Sequence, residues 1–261
     1  MQKYKFYSLI TIVFISFFLA SCAWTAETGE NETEQDAAPP TEIIAQADAL
    51  FRQREDISKL REAVRLLAEA RNPGNRSYEV EWKFAKYSYF LGRQSDDEEE
   101  SEKALEEGEH AGRIASRIAP DKPDGYFWYG ANLGEQSRKS PVTVGFKSVD
   151  DIREAMHKVI EIQPDYQGAS AYVALGQIEL VTGLFRGNPK KAIEYLEKGL
   201  EIEKDNPYLR LHLAEAYIAT NRRPDAKKQL EIILKTQPHP DYVVEHKEAS
   251  EKAKKLLETR F

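Results

Sequence analysis

Cysteine is almost absent from this sequence: Cys22 is the only one in 261 residues. A single thiol excludes an intramolecular disulfide and a cluster of thiolate metal ligands. Histidine is scarce too. His110, His157, His212, His239 and His246 form neither His-x-x-x-His nor His-Glu-x-x-His, so no zinc site is expected. His212 reads instead as a hydrogen-bonded packing residue. The nucleophile elbow Gly-x-Ser-x-Gly and a phosphate-binding glycine loop are missing as well. The acidic run 96–100, with Glu102, lacks the alternating ligands and central glycine of an EF-hand loop. Following Ser95, it reads as a helix start, where negative charge complements the helix dipole. Hairpin dipeptides between alternating β-branched runs are also lacking, which leaves no strand signal. Basic residues number 37 against 44 acidic ones, for a formal charge of −7, and that balance argues against nucleic acid. These absences lead to an all-α chain with no cofactor and no metal, and to a non-enzyme.

What is present begins at the N-terminus. Lys3 and Lys5 precede fifteen uncharged residues, 6–20. A spanning helix takes about 20 residues to cross roughly 30 Å of hydrocarbon, so this run suits the apolar region of a cleaved signal. Leu19-Ala20-Ser21-Cys22 resembles the lipobox of bacterial lipoproteins. The resemblance implies that residues 1–21 are removed as a signal peptide and that Cys22 carries the lipid; the other reading is a plain secretory signal with an incidental cysteine. Two or three acyl chains, at about 0.8 kcal/mol per buried methylene, make such an anchor durable. Ala23 stands where some lipoproteins carry an aspartate that retains them in the inner membrane, which points to the outer membrane. Removing 1–21 takes two lysines off the formal charge of −7 and leaves −9. Residues 22–40 are poor in large apolar side chains, rich in glutamate and end in Pro39-Pro40. They are expected to form a disordered acidic tether, with folded structure beginning near Thr41.

The remainder repeats. Leu133-Gly134, Leu175-Gly176 and Leu213-Ala214 recur at intervals of 42 and 38 residues. Each falls on a helix that is followed by a second amphipathic helix. On those second helices Ile152, Met156 and Val159, then Ala192, Leu196 and Gly199, then Ala226, Leu230 and Ile233 share one face. Small residues at the crossing let two antiparallel helices approach closely. In this the chain resembles the tetratricopeptide repeat family. Leu213, Ala214, Tyr217, Ala226, Leu230 and Pro238 fit its motif well, and Tyr172, Leu175, Gly176, Ala192, Leu196 and Gly199 fit it in the preceding repeat. Residues 123–164 fit more loosely. Trp82, Ala85, Tyr89, Ala104 and Ala111 suggest a further pair, with Pro120 later than the motif wants, and 41–72 a degenerate first one. The expected fold is a solenoid of four to five antiparallel helix pairs over 41–240. The polar helix at 241–261 should cap its open end.

Two insertions lengthen the repeats: residues 138–148 and 183–189. Successive loops of this kind lie on one edge of a solenoid and often form a working face. Phe146, Lys147, Phe185 and Arg186 are therefore candidates for a contact with a partner or an anionic group; the alternative is that each phenylalanine tucks under its own loop. The run Trp128-Tyr129-Gly130-Ala131-Asn132-Leu133-Gly134, with Gly183-Leu184-Phe185-Arg186-Gly187-Asn188-Pro189, resembles the T component of TRAP transporters (TatT-type lipoproteins). That resemblance covers roughly 78–238. It implies a periplasm-facing lipoprotein that assembles as a homotrimer, partners the solute-binding subunit and handles a hydrophobic ligand. Tetratricopeptide lipoproteins that serve as scaffolds in envelope or outer-membrane assembly share much of the pattern, so that alternative stays open. Matched to the repeat, the concave groove would contain Trp128, Asn132, Glu135, Val173, Gln177, Leu180, Tyr208, Leu211, Glu215 and Ile218. It is expected to be a mixed surface with several exposed apolar side chains, suited to a peptide, a partner helix or an acyl-like ligand, unless the C-terminal helix covers half of it.

Overall fold

The computed structural model describes residues 39–140, 146–181 and 187–261. Among them the elements are eleven α-helices and one short 3-10 helix. Ten of the α-helices form five antiparallel pairs: α1 (Thr41–Phe51) with α2 (Ile57–Ala70), α3 (Tyr78–Gln94) with α4 (Glu98–Ile118), and α5 (Pro123–Lys139) with α6 (Phe146–Ile162). They continue as α7 (Tyr166–Val181) with α8 (Pro189–Ile202), and α9 (Pro207–Ala219) with α10 (Arg223–Lys235). After the 3-10 helix at Pro240–Tyr242, α11 (Val243–Arg260) packs against α9 and α10. This is the expected all-α solenoid. Its first pair, degenerate in sequence, is fully formed.

Local chemistry sets the helix starts. Asn188 and Asn206 accept hydrogen bonds from backbone amides in the first turns of α8 and α9, and Pro123, Pro189 and Pro207 occupy first-turn positions that need no amide donor. Asp97, not Ser95, caps α4: its Oδ1 accepts from the Glu99 and Glu100 amides at 3.0 and 3.2 Å. Ser95 instead ends α3. With 21 residues, α4 outlasts the other helices, which is why Pro120 comes late.

The odd-numbered helices from α3 to α11 pack against one another along the stack, while even-numbered helices up to α8 pack on their odd-numbered neighbours. Leu60, Leu67, Phe84, Met156 and Leu175 anchor the first part of the core; Leu196, Leu209, Leu211, Leu213, Leu230 and Ile233 anchor the second. The two meet at α7, which gives Ala171 and Leu175 to one and Tyr172 and Val173 to the other. Each pair thus buries its apolar face only against its neighbours, as solenoids do.

The crossing residues follow the repeat in two places and depart from it in a third. A Cβ on Gly176 would meet the Leu196 side chain, and Ala214 is fully buried, as the motif requires. Gly134 has nothing within 4 Å of where its Cβ would stand. The close approach between α5 and α6 lies one turn earlier, at Gly130, which faces Met156 and Ala155.

The start of α7 is not a regular helix. Gln167, Gly168 and Ala169 have φ of 49°, 62° and 59°, the left-handed region that costs a non-glycine residue roughly 1–2 kcal/mol. The turn is held from outside: Asn206 Nδ2 donates to the Gly168 carbonyl at 2.7 Å. Just before it, Tyr166 donates to Asp124 Oδ1 at 2.6 Å, and Tyr78 donates to the other oxygen at 2.6 Å. Asp124 therefore ties three successive pairs together.

Burial and the Asp124 carboxylate push both tyrosine pKa values up from the ordinary value near 10. A raised folded pKa contributes stability that is complete below the unfolded value and is lost as pH climbs toward the folded one. The protein is therefore expected to lose stability above about pH 10. In a spectrophotometric titration, some of its 13 tyrosines should ionise only on alkaline unfolding, and Asp124→Asn should bring part of that group down in pH. Ionisation of all tyrosines near pH 10, ahead of unfolding, would contradict this reading.

Candidate partner-binding face

Stacking of the odd-numbered helices makes them one wall of the solenoid, and a single ion pair reveals how that wall curves. Arg93 near the end of α3 lies 3.8 Å from Glu248 of α11. Four helix-to-helix steps separate α3 from α11, which at roughly 8–10 Å per step would keep them beyond reach on a straight stack. The wall must curl inward, with the odd-numbered helices inside.

Polar side chains line this inner wall. Arg93 also donates to the Tyr89 hydroxyl at 3.4 Å. Tyr89 first, then Glu135, Tyr208 and Glu248, raise the pKa of Arg93 against the opposing effect of burial. Glu135 pairs with Arg138 one turn on. Tyr208 donates to Glu248, and burial and that carboxylate push its pKa up. Lys252 Nζ lies 6.0 Å from the centre of the Tyr208 ring, while the other side of the network runs through His212. Its Nδ1 is 2.6 Å from Glu215 Oε2 and its Nε2 is 2.9 Å from Gln177 Nε2. The wall thus offers alternating acids, bases and amides over five helices, with α11 across one end.

The ten residues expected in the groove divide. Gln177 is exposed, and Leu180, Tyr208, Glu215 and Ile218 are half-buried. Glu135 is buried but ion-paired. Trp128, Asn132, Val173 and Leu211 are buried in the core, so they do not line an open groove. The reason is geometric. One side of each odd-numbered helix must face the next odd-numbered helix, and these residues lie on that side. Asn132 Nδ2, for example, donates to the Ala85 carbonyl of α3 at 3.0 Å. The surface that remains is mixed, with Leu180, Tyr208 and Ile218 beside Gln177 and Glu215, and its charged character is stronger than the ten residues alone suggested. Arg93, Glu248 and Lys252 carry much of that character and went unread in the sequence. Their signal was the four-residue spacing of Tyr89 with Arg93 and of Glu248 with Lys252, which places each pair on one helix face.

Phe146 and Lys147 open α6, but their side chains, with all of Phe185 and Arg186, lie outside the described residues. The base of the two insertions is described. Glu179 near the end of α7 is buried; Arg153 of α6 lies 3.3 Å and Lys191 of α8 3.8 Å from its carboxylate, and the Asn188 amide donates to it at 3.1 Å. Among the described residues no helix is long and apolar enough to cross a membrane.

The helix pairs, their small-residue crossings and the inner wall define a tetratricopeptide-like helical-repeat protein, a class whose surfaces engage other proteins. A family model described as "Regulator of microtubule dynamics protein 1-3" matches residues 43–177, just over half of the chain, and the chain belongs to that family. A tetratricopeptide repeat model matches residues 186–243. Among solved structures, the chain is similar to a thermophilic tetratricopeptide repeat protein of Thermus thermophilus, with 18% identity, 80% of this chain and 97% of that chain covered, and a TM-score of 0.59. At that identity the likeness is one of fold. No curated protein matches the chain.

Proposed function

We propose that this chain is a lipid-anchored, periplasm-facing scaffold that binds a protein partner on its inner wall, as the accessory T component of a TRAP-type uptake system. The observation that carries the binding role is the polar wall running from Arg93 through Gln177 and His212 to Glu248. The charged and amide side chains of this wall suit a polar protein surface, and the half-buried Leu180, Tyr208 and Ile218 beside them suit the hydrophobic ligand of the T-component resemblance. The transport role rests on the sequence pattern of residues 128–134 and 183–189 within roughly 78–238, and its partner is the solute-binding subunit, met by a homotrimer of this chain. Cys22 supplies the anchor, at the periplasmic side of the outer membrane, and the stretch 23–40 gives the solenoid reach toward soluble partners. The microtubule role in the family's name has no counterpart in this reading, because an exported chain does not meet a cytoplasmic filament.

Membrane fractionation followed by detergent co-purification tests both parts. The wild-type protein is expected to sediment with membranes and bring down a solute-binding protein, whereas Cys22→Ser releases the chain into the soluble fraction. Membrane association unchanged by Cys22→Ser would remove the anchor. Recovery of outer-membrane assembly proteins alone would replace the transport role by envelope scaffolding.

A further inference from the structure

At the N-terminal end of the inner wall, α1 and α3 enclose a recess of about 180 Å³. Asp48 is the acid in its lining and is already engaged, by Lys83 at 2.7 and 2.9 Å and by the Tyr87 hydroxyl. Arg52, Lys83 and Lys86 put three cations around it. Arg54 joins them from just beyond α1, its guanidinium carbon 5.0 Å from the centre of the Phe51 ring and 5.3 Å from that of Phe90.

Lys86 Nζ lies 5.2 Å from the Phe51 ring centre and 5.6 Å from that of Trp128. Arg54 and Lys86 thus share the same phenylalanine, and among the described residues neither has a carboxylate within ion-pair distance. That is unexpected in a chain with seven more acids than bases. Both cations are half-buried, where an unpaired charge is costly. Burial first, then Arg54 and Lys83, lower the pKa of Lys86.

We infer that this recess is a binding site for carboxylate side chains of an acidic protein segment, received by Lys86 and Arg54, the two cations that share the Phe51 ring. The volume admits a carboxylate and its nearest carbons, while ligand pockets for whole small molecules span roughly 300–1,000 Å³. The ring faces hold the two cations in place by cation–π attraction before the partner arrives. An arriving carboxylate replaces the repulsion between them by two charge-assisted contacts. The inference rests on the reading of the inner wall as a partner surface, and it names the chemistry of one part of that surface.

The test is fluorescence anisotropy with the full chain and a fluorescein-labelled peptide of alternating glutamate and serine, beside the same peptide with glutamine for glutamate. Saturable binding of the glutamate peptide alone, weakened by salt, is expected. Arg54→Gln and Lys86→Gln together should weaken it by about tenfold or more, a loss of about 1.4 kcal/mol or more, with an unchanged circular dichroism spectrum. Lys103→Gln, an exposed cation elsewhere, should leave it as it was.

Equal binding of both peptides, or no effect of the double substitution, would overturn the site. So would binding that emerges only when Glu27, Glu30, Glu32, Glu34 and Asp36 are changed to glutamine, because the chain's own acidic stretch would then be the occupant. If cellular partners co-purify equally with wild type and the double variant, the recess assignment fails while the scaffold reading stands. If no partner is recovered with either, the scaffold reading fails as well.

Discussion

Replacing Gly112 by alanine is expected to destabilise the protein by about 2 kcal/mol or more, while the same change at Gly134 stabilises it by up to about 1 kcal/mol. A Cβ on Gly112 would stand 2.5 Å from the backbone nitrogen of Tyr129 and 2.8 Å from its Cα. Backbone cannot rotate away as a side-chain tip can, so α4 and α5 would have to separate. Their contact is tight elsewhere too, since a Cβ on Gly125 would meet the Ser116 backbone nitrogen at 2.4 Å. Overpacking of this kind costs about 3 kcal/mol at the upper end of its usual range, and alanine's better helix propensity returns about 1. For a folded region near 220 residues the net loss lowers the melting temperature by roughly 4–8 °C.

Gly134 has open space where its Cβ would be, so only the propensity gain remains. Urea denaturation of the two variants beside wild type measures both effects. Equal changes at the two positions, or a larger loss at Gly134, would contradict the packing described.

The second large effect is expected at Glu81. Its side chain is 1% exposed and receives Arg71 Nε at 2.9 Å and Arg76 Nη1 at 2.8 Å. Arg71 also lies with its guanidinium carbon 4.5 Å from the centre of the Phe84 ring, so the cluster joins the loop after α2 to the first turn of α3. Glu81→Ala leaves two guanidiniums without their shared carboxylate. Breaking a buried pair from one side costs about 3–5 kcal/mol. The arginine side chains are 15% and 18% exposed and can turn partly to water, which puts the expected loss near the lower end, about 3 kcal/mol. Arg71→Ala should cost less, because Glu81 keeps Arg76. Reversal of that order under urea would show that the cluster is held by something other than the shared carboxylate.

The two glycines also mark where the sequence stops being sufficient. Helix pairs could be read from Leu196, Leu230 and their partners, because a 3.6-residue period records which face of a helix is apolar. The crossing point could not. Leu133-Gly134 matches the motif, yet α5 and α6 meet at Gly130, since crossing position depends on how two whole helices tilt.

The inner wall was legible only in part for a related reason. Glu135 and Gln177 are equivalent positions of α5 and α7, yet one is buried and the other exposed, because a few tens of degrees of helix rotation decide which side chain faces a neighbouring helix and which faces the interior of the curve. The contact of Arg93 with Glu248 depends on curvature accumulated over four steps, and no local pattern encodes that sum. Arg54 and Lys86 escaped notice because the lack of an ion-pair partner among the described residues shows only once those residues are placed in space.

The central claim is that the inner wall binds a protein partner, and photo-crosslinking in cells tests it most directly. A photoreactive phenylalanine analogue would be placed at Gln177, exposed on the wall-forming helix α7, and separately at Glu194, exposed on α8. Adducts to another protein are expected from position 177 and not from 194. Adducts from 194 alone, or none from either position, would contradict it.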